Sequence, residues 1–258
     1  MAQALHKPSD IRSQVSDPEW QVRVDLAAAY RLVDHYGWTD MIFTHLSARV
    51  PGPEHHFLIN PYGMMFDEVR ASDLVKVDLD GNIMLSSGYD VNPAGFCIHS
   101  AIHMAREDAK AVMHLHTDDG VAVSAMADGL LPITQMAMVI HDQIAYHEYE
   151  GVALDLAERE RLVTDIGDKR LLILRNHGTL ATGEGVSDCF LMLYNLERAC
   201  TMQVRAMAGG AKLHQPSEAA LRTTREQGEK LMVPGSLDAL AWPALLRMLD
   251  RNCPDFRD

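Results

Sequence analysis

The sequence predicts an α/β or α+β fold with one central sheet held between helical layers. Three observations lead there. Helix-like and strand-like patterns alternate along most of the chain, which is what a sheet covered by helices requires. The strand-like runs are short and bounded by Pro, Gly and Asp-Gly turns. With 258 residues and 47% hydrophobic content, the chain can bury the core of one large domain, or of one domain with an appendage.

The first helix is read from "SDPEWQVRVDLAAAYRLVDHYGW". Asp17 can cap it, Pro18 suits its first position and Gly37 can stop it, while Val22, Leu26, Ala29 and Val33 repeat at helical spacing. Then "MIFTHLSARV", "HHFLINP" and "LVKVDLDGNIM" read as short strands. "NPAGFCIHSAIHMARED" returns to helix, with Asn92 as cap. "KAVMHLHT" is the next strand, and Asp118 or Asp119 opens a helix reaching Ala127. "ALDLAERERLVTDIG" is helical, and "KRLLILRNHGTLATG" is a strand, a turn at Asn176-His177-Gly178 and a second strand. "VSDCFLMLYNLERACTMQVRAMAGG" is a long helix capped by Ser187 and stopped by Gly209. Composition shifts near Lys212, so residues 1–211 are read as one domain and 212–258 as a C-terminal helical extension that docks on the domain or on a neighbouring subunit.

Composition narrows the function. A net charge of −13 argues against nucleic acid or an acidic membrane as partner. No apolar run approaches a membrane span, and the opening residues lack the apolar core of a signal peptide. The four cysteines form no C-x-x-C pair, so a reducing cytoplasm is expected rather than a disulfide framework or a cysteine zinc site.

The candidate chemistry lies in histidine. His114 and His116 alternate along a strand, which puts both imidazoles on one face roughly 6–7 Å apart at the backbone. His177 follows an apolar strand and precedes Gly178, at a strand end where loops carry function. Three imidazoles leave a fourth position open, the pattern of a catalytic metal site. His99 and His103 form a separate i, i+4 pair, read as core or supporting residues, and His55 and His56 are read as surface residues.

The motifs "HLHT", "AVSAM", "GLLPI", "LRNHGTL" and "YNLERAC", in that order, resemble the class II aldolase/adducin family over about Trp20 to Gly210. "FTHLSARVPG", "LINPYGMMFDEV" and "NPAGFCIHSAIH" resemble its adducin-head branch more than its sugar-phosphate aldolases. The resemblance implies an α/β/α layered fold with a mostly antiparallel sheet. It also implies a homotetramer and a divalent ion, zinc first with Mn²⁺ or Fe²⁺ as alternatives, held by His114, His116 and His177. The departures are specific. The family's catalytic glutamate falls at Ala94-Gly95, its phosphate-binding Gly-Asn at Thr44-His45, its paired serines near Pro93-Ala94 and its proton-donating tyrosine near Thr134-Gln135.

The expected function is therefore a metal-dependent lyase acting on a small hydroxy-carbonyl compound through a metal-stabilised enediolate, and not a standard sugar-phosphate aldolase. The alternatives are an adducin-head-like binding or scaffold protein and an Fe(II) oxygenase on the same fold. Candidates for the absent proton acceptor are Asp118 and Asp119, beside the H-x-H, and Tyr146, His147 and Glu148 in "AYHEYEG". Asn176 and Thr44 are candidate substrate contacts.

Overall fold

The structure is a computed structural model, and it describes residues 11–85, 87–151 and 158–258. Helix α1 spans Asp17–His35. Its cap is Ser16, whose hydroxyl accepts from Glu19 N at 3.3 Å, rather than Asp17, which falls in the first turn beside Pro18. Four strands follow: β1 His45–Arg49, β2 Phe57–Ile59, β3 Val75–Val77 and β4 Ile83–Leu85. Next come α2 (Pro93–Ala105), β5 (Ala111–Leu115), α3 (Asp118–Ser124) and α4 (Gln135–Ile140). Then come β6 (Ile144–His147), α5 (Glu158–Ile166), β7 (Leu171–Leu174) and β8 (Gly178–Gly183). Helices α6 (Val186–Met207), α7 (Glu218–Leu231) and α8 (Leu237–Asn252) close the chain. The start expected for α5 at Ala153 lies outside the described residues.

The strands form one eight-stranded sheet in the order β4-β3-β2-β1-β5-β8-β7-β6. Every pairing is antiparallel except that of β6 with β7. Period-two alternation sorts the central strands between two apolar layers. Ala111, Met113, Leu115, Leu171, Ile173 and Ala181 join the larger core with α1, α6 and α8. Val112, Leu172, Leu174 and Leu180 face Ile98 and Ile102 of α2 and Leu162 and Ile166 of α5. This is the α/β/α arrangement with a mostly antiparallel sheet.

Two joints fix the site end of the sheet. The buried hydroxyl of Tyr30, on α1, accepts from Leu46 N at 2.8 Å and from Asn60 N at 3.2 Å, which ties α1 to β1 and to the end of β2. Thr117, not Asp118 or Asp119, caps α3: its Oγ1 accepts from Gly120 N at 2.9 Å. Ser187 does not cap α6, because the cap position is Gly185, and the Ser187 hydroxyl donates to Asp238 Oδ2 on α8 at 3.0 Å.

The C-terminal extension docks on the domain. Met232, Trp242, Leu249 and Phe256 enter the larger core, and Trp242 Nε1 donates to Asp25 Oδ1 at 2.9 Å. No described helix is long and apolar enough to cross a membrane.

Candidate metal centre

The three candidate ligands arrive from the ends of neighbouring strands. β5 pairs with β8 so that His114 lies opposite Leu180 and Leu115 opposite Thr179. His114 is on the last turn of the pleat and His116 just beyond it. The β7–β8 turn brings in His177. Asn176 adopts φ 57°, a left-handed conformation that Asn tolerates better than most residues. Gly178 is required by crowding: a Cβ there would lie 3.2 Å from His116 Cδ2, 3.3 Å from His114 Cε1 and closer still to the Leu115 carbonyl.

The rings converge. His114 Nε2 and His116 Nε2 are 2.9 Å apart, and so are His116 Nε2 and His177 Nε2. The ligand atoms all lie within 4.8 Å of one another. The opposite nitrogens decide what these atoms are. His114 Nδ1 donates to the Thr179 carbonyl at 2.9 Å, and His116 Nδ1 is 3.0 Å from Asp40 Oδ2. A carbonyl and a carboxylate can only accept, so each Nδ1 carries a proton, and in a neutral ring Nε2 is then the atom with the lone pair. Burial first, then the neighbouring His177, His116 and His45, hold His114 well below the ordinary histidine range. Burial, then His116 and His147, lower His177 to about 4. At neutral pH both of those rings are uncharged. Neutral imidazoles aiming lone pairs at one point fit a divalent cation, and His116, held by a carboxylate behind it, has the orientation of a ligand with an outer-shell partner.

Beside the rings opens a cavity of about 390 Å³, with Asp40, Phe43, His45 and Tyr149 among its lining residues. None of the expected proton acceptors lines this cavity, although His147 and Glu148 share a small adjoining pocket with His177. Asp118 is exposed and Asp119 half-buried in the first turn of α3, and neither lines the cavity. Tyr146 points to the opposite side of β6, where its hydroxyl accepts from Leu130 N at 3.0 Å and its ring lies 4.3 Å under the Arg175 guanidinium. His147 is buried between two acids of α5, with Nδ1 2.7 Å from Asp165 Oδ2 and Nε2 3.4 Å from Glu158 Oε1. Glu148 is exposed, 4.0 Å from Arg175. Of the expected substrate contacts, Asn176 is exposed and shapes the turn, and Thr44 is fully buried outside the cavity wall.

Two residues were not singled out from sequence, and a third was named only as standing at the family's phosphate-binding Gly-Asn. Asp40 is an ordinary acid in a loop, and only the fold puts it behind His116. Glu197, in "YNLERAC", is 1% exposed and accepts from Thr117 Oγ1 at 2.5 Å and from Thr179 Oγ1. It thereby clamps the residue after His116 to the residue whose carbonyl orients His114. Burial pushes its carboxyl up to about 7, against the two hydroxyls. The third is His45, directly opposite His114 in the β1–β5 register.

Comparison with known proteins agrees with this architecture. Residues 24–204 match the class II aldolase and adducin N-terminal domain. A Caulobacter vibrioides relative, which bears only the family designation aldolase class 2, is 56% identical over 259 residues and spans 100% of both chains. Mouse alpha-adducin is 41% identical over 245 residues, covering 89% of this chain and 33% of that protein. The solved L-fuculose 1-phosphate aldolase from Glaciozyma antarctica superposes with a TM-score of 0.81 at 26% identity over 93% of each chain. The chain belongs to the class II aldolase and adducin family.

Proposed function

We propose that this chain is a metal-dependent lyase acting on a small hydroxy-carbonyl compound, with His114, His116 and His177 as ligands of a divalent ion, zinc in the first instance. One observation carries the reading: the three Nε2 atoms meet at the wall of a cavity, with the proton of two of the rings committed to acceptors on the far side. Such an ion supplies Lewis acidity, drawing charge from a carbonyl and its neighbouring hydroxyl as a bond α to the carbonyl breaks. The protein's own part is to keep His114 and His177 neutral, orient His114 through Thr179 and His116 through Asp40, and offer a partly enclosed space for a small molecule. We further take the protein to be cytoplasmic and homo-oligomeric, a tetramer by family likeness.

The 41% identity to alpha-adducin favours a second reading, a binding protein without turnover. Neutral imidazole also accepts Fe²⁺, which would suit an oxygenase. Screening small hydroxy-carbonyl compounds against zinc-, manganese- and iron-loaded protein separates the three. Aldehyde or carbon dioxide release that is lost in His177→Ala supports the lyase. Oxygen uptake by the iron form supports the oxygenase. A site that takes up none of these ions supports the binding protein.

A further inference from the structure

His45 is buried beside the metal centre, and no interaction among the described residues accounts for it. It is 4% exposed, and neither Nδ1 nor Nε2 has a hydrogen-bond partner. A buried ring nitrogen without a partner is unfavourable, so an imidazole there calls for a use. The ring is one of the lining residues of the cavity that also holds His114, His116 and His177.

Its surroundings hold it still. His114 stacks on one side with ring centroids 6.4 Å apart, and His99 meets it edge-on at 5.9 Å. Gly95 closes on it from α2: a Cβ at position 95 would fall 2.6 Å from His45 Nδ1 and closer to two ring carbons. The imidazole thus fills the volume that any side chain at 95 would need. His99 is fixed in turn by Ser47, whose hydroxyl lies 2.6 Å from His99 Nδ1 and 2.8 Å from His103 Nε2, and His103 Nδ1 donates to the Ala109 carbonyl at 3.0 Å. With His103 committed that way, its Nε2 takes the Ser47 proton, and Ser47 takes the proton of His99 Nδ1. This chain backs His45 with uncharged groups.

Resting on the metal reading above, we propose that His45 is a specificity-determining residue. Its ring nitrogen hydrogen-bonds an uncharged oxygen, a hydroxyl or carbonyl, on the molecule bound at the metal. The chemistry of the wall favours that class over a phosphate ester. No lysine or arginine is among the described lining residues, whereas Asp40 is. A phosphate dianion is held by clustered cations or by several backbone N–H groups, and a single neutral imidazole provides neither. A hydroxyl or carbonyl needs only the one donor or acceptor that imidazole has.

The test uses the full chain loaded with Co²⁺, whose visible bands report ligands entering the metal site, titrated with dihydroxyacetone and with its monophosphate, which keeps one free hydroxyl beside the carbonyl. His45→Phe keeps a ring in the space and removes both nitrogens. It is expected to take up cobalt like the wild type, to unfold at the same or higher denaturant concentration, and to bind dihydroxyacetone about tenfold more weakly. His45→Gln restores a donor and an acceptor and is expected to bind within about threefold of wild type. The wild type is expected to prefer dihydroxyacetone to its monophosphate. The proposal is overturned if His45→Phe binds dihydroxyacetone like the wild type, if the cobalt-loaded wild type ignores dihydroxyacetone, or if it prefers the monophosphate. A wild type that takes up no cobalt overturns the metal reading, and this inference with it.

Discussion

Two pairs of histidines lie on either side of His45, whose ring meets His99 of one and His114 of the other, and they behave in opposite ways. His99 and His103, one helical turn apart on α2, face Ser47 of β1, are 0% and 2% exposed, and point ring nitrogens at a hydroxyl and a carbonyl inside the protein. His114 and His116, two residues apart at the end of β5, also spend one nitrogen each on the protein. They turn the other toward a third imidazole and a cavity. Spacing alone does not separate them, since both i, i+4 on a helix and i, i+2 on a strand are metal-competent. The difference lies in where the second nitrogen ends. His103 spends both nitrogens inside the protein, and His99 spends Nδ1 on Ser47 while its buried Nε2 has no partner among the described residues; the second nitrogens of the strand pair instead meet a third imidazole.

The largest expected consequence concerns acid. His103 is lowered to about 3 by burial, with Arg49 adding to the shift, and His99 lies well below its ordinary value, also through burial. An unfolded histidine takes a proton near 6.5, whereas these folded ones resist it, so the unfolded state binds more protons below that pH. Their contribution is therefore fully present above pH 6.5 and lost as the pH falls toward the folded values. The expected loss is roughly 1.4 kcal/mol per pH unit for each ring. Urea unfolding at pH 7.5 and 5.0, on chelator-treated protein, should show that drop together with one from the similarly lowered His45, His114 and His177, and His103→Asn should remove one ring's share. A pH-independent midpoint would erase the distinction drawn for the helical pair.

Ser47→Ala comes next. It strips a partner from His99 and His103 together, so we expect a stability loss of about 2–3 kcal/mol with metal content unchanged. Loss of metal in that variant would show that the two pairs are one unit. Asp40→Asn should do the converse, leaving the unfolding midpoint nearly fixed while weakening metal affinity about 10- to 100-fold, read by competition with a chromophoric chelator. Smallest is Asn176→Ala, which places a less tolerant residue at φ 57° and should cost about 1 kcal/mol while sparing the ligand set.

Much of this was legible in the sequence, for physical reasons. The H-x-H stood out because a strand's alternation forces both rings to one side, and His177 because Asn and Gly around it mark a tight turn at a strand end. The three-layer fold followed from alternating periodicities. Caps moved by a residue or two, as with Ser16 for Asp17 and Thr117 for Asp118, because neighbouring polar residues are all competent acceptors and only backbone geometry selects one. The proton-acceptor candidates were harder. Tyr146 and His147 form a polar aromatic cluster in the sequence, but strand alternation sends them to opposite faces. Their partners, Leu130, Asp165 and Glu158, come from other segments. Asp40 carries no local signature, and His45 stood out only as a departure from the family's phosphate-binding pair, its place beside the rings depending on β1 lying next to β5.

The central claim is that the strand-end rings at 114, 116 and 177 form one cation site and the helical rings do not. Zinc titration of the wild type, of His114→Ala, His116→Ala and His177→Ala, and of His103→Ala as control, tests it most directly. We predict one tightly held ion per chain in the wild type and in any folded His103→Ala, and loss of tight binding in each of the other three. Retention of wild-type stoichiometry and affinity in folded His114→Ala, His116→Ala and His177→Ala alike would contradict it.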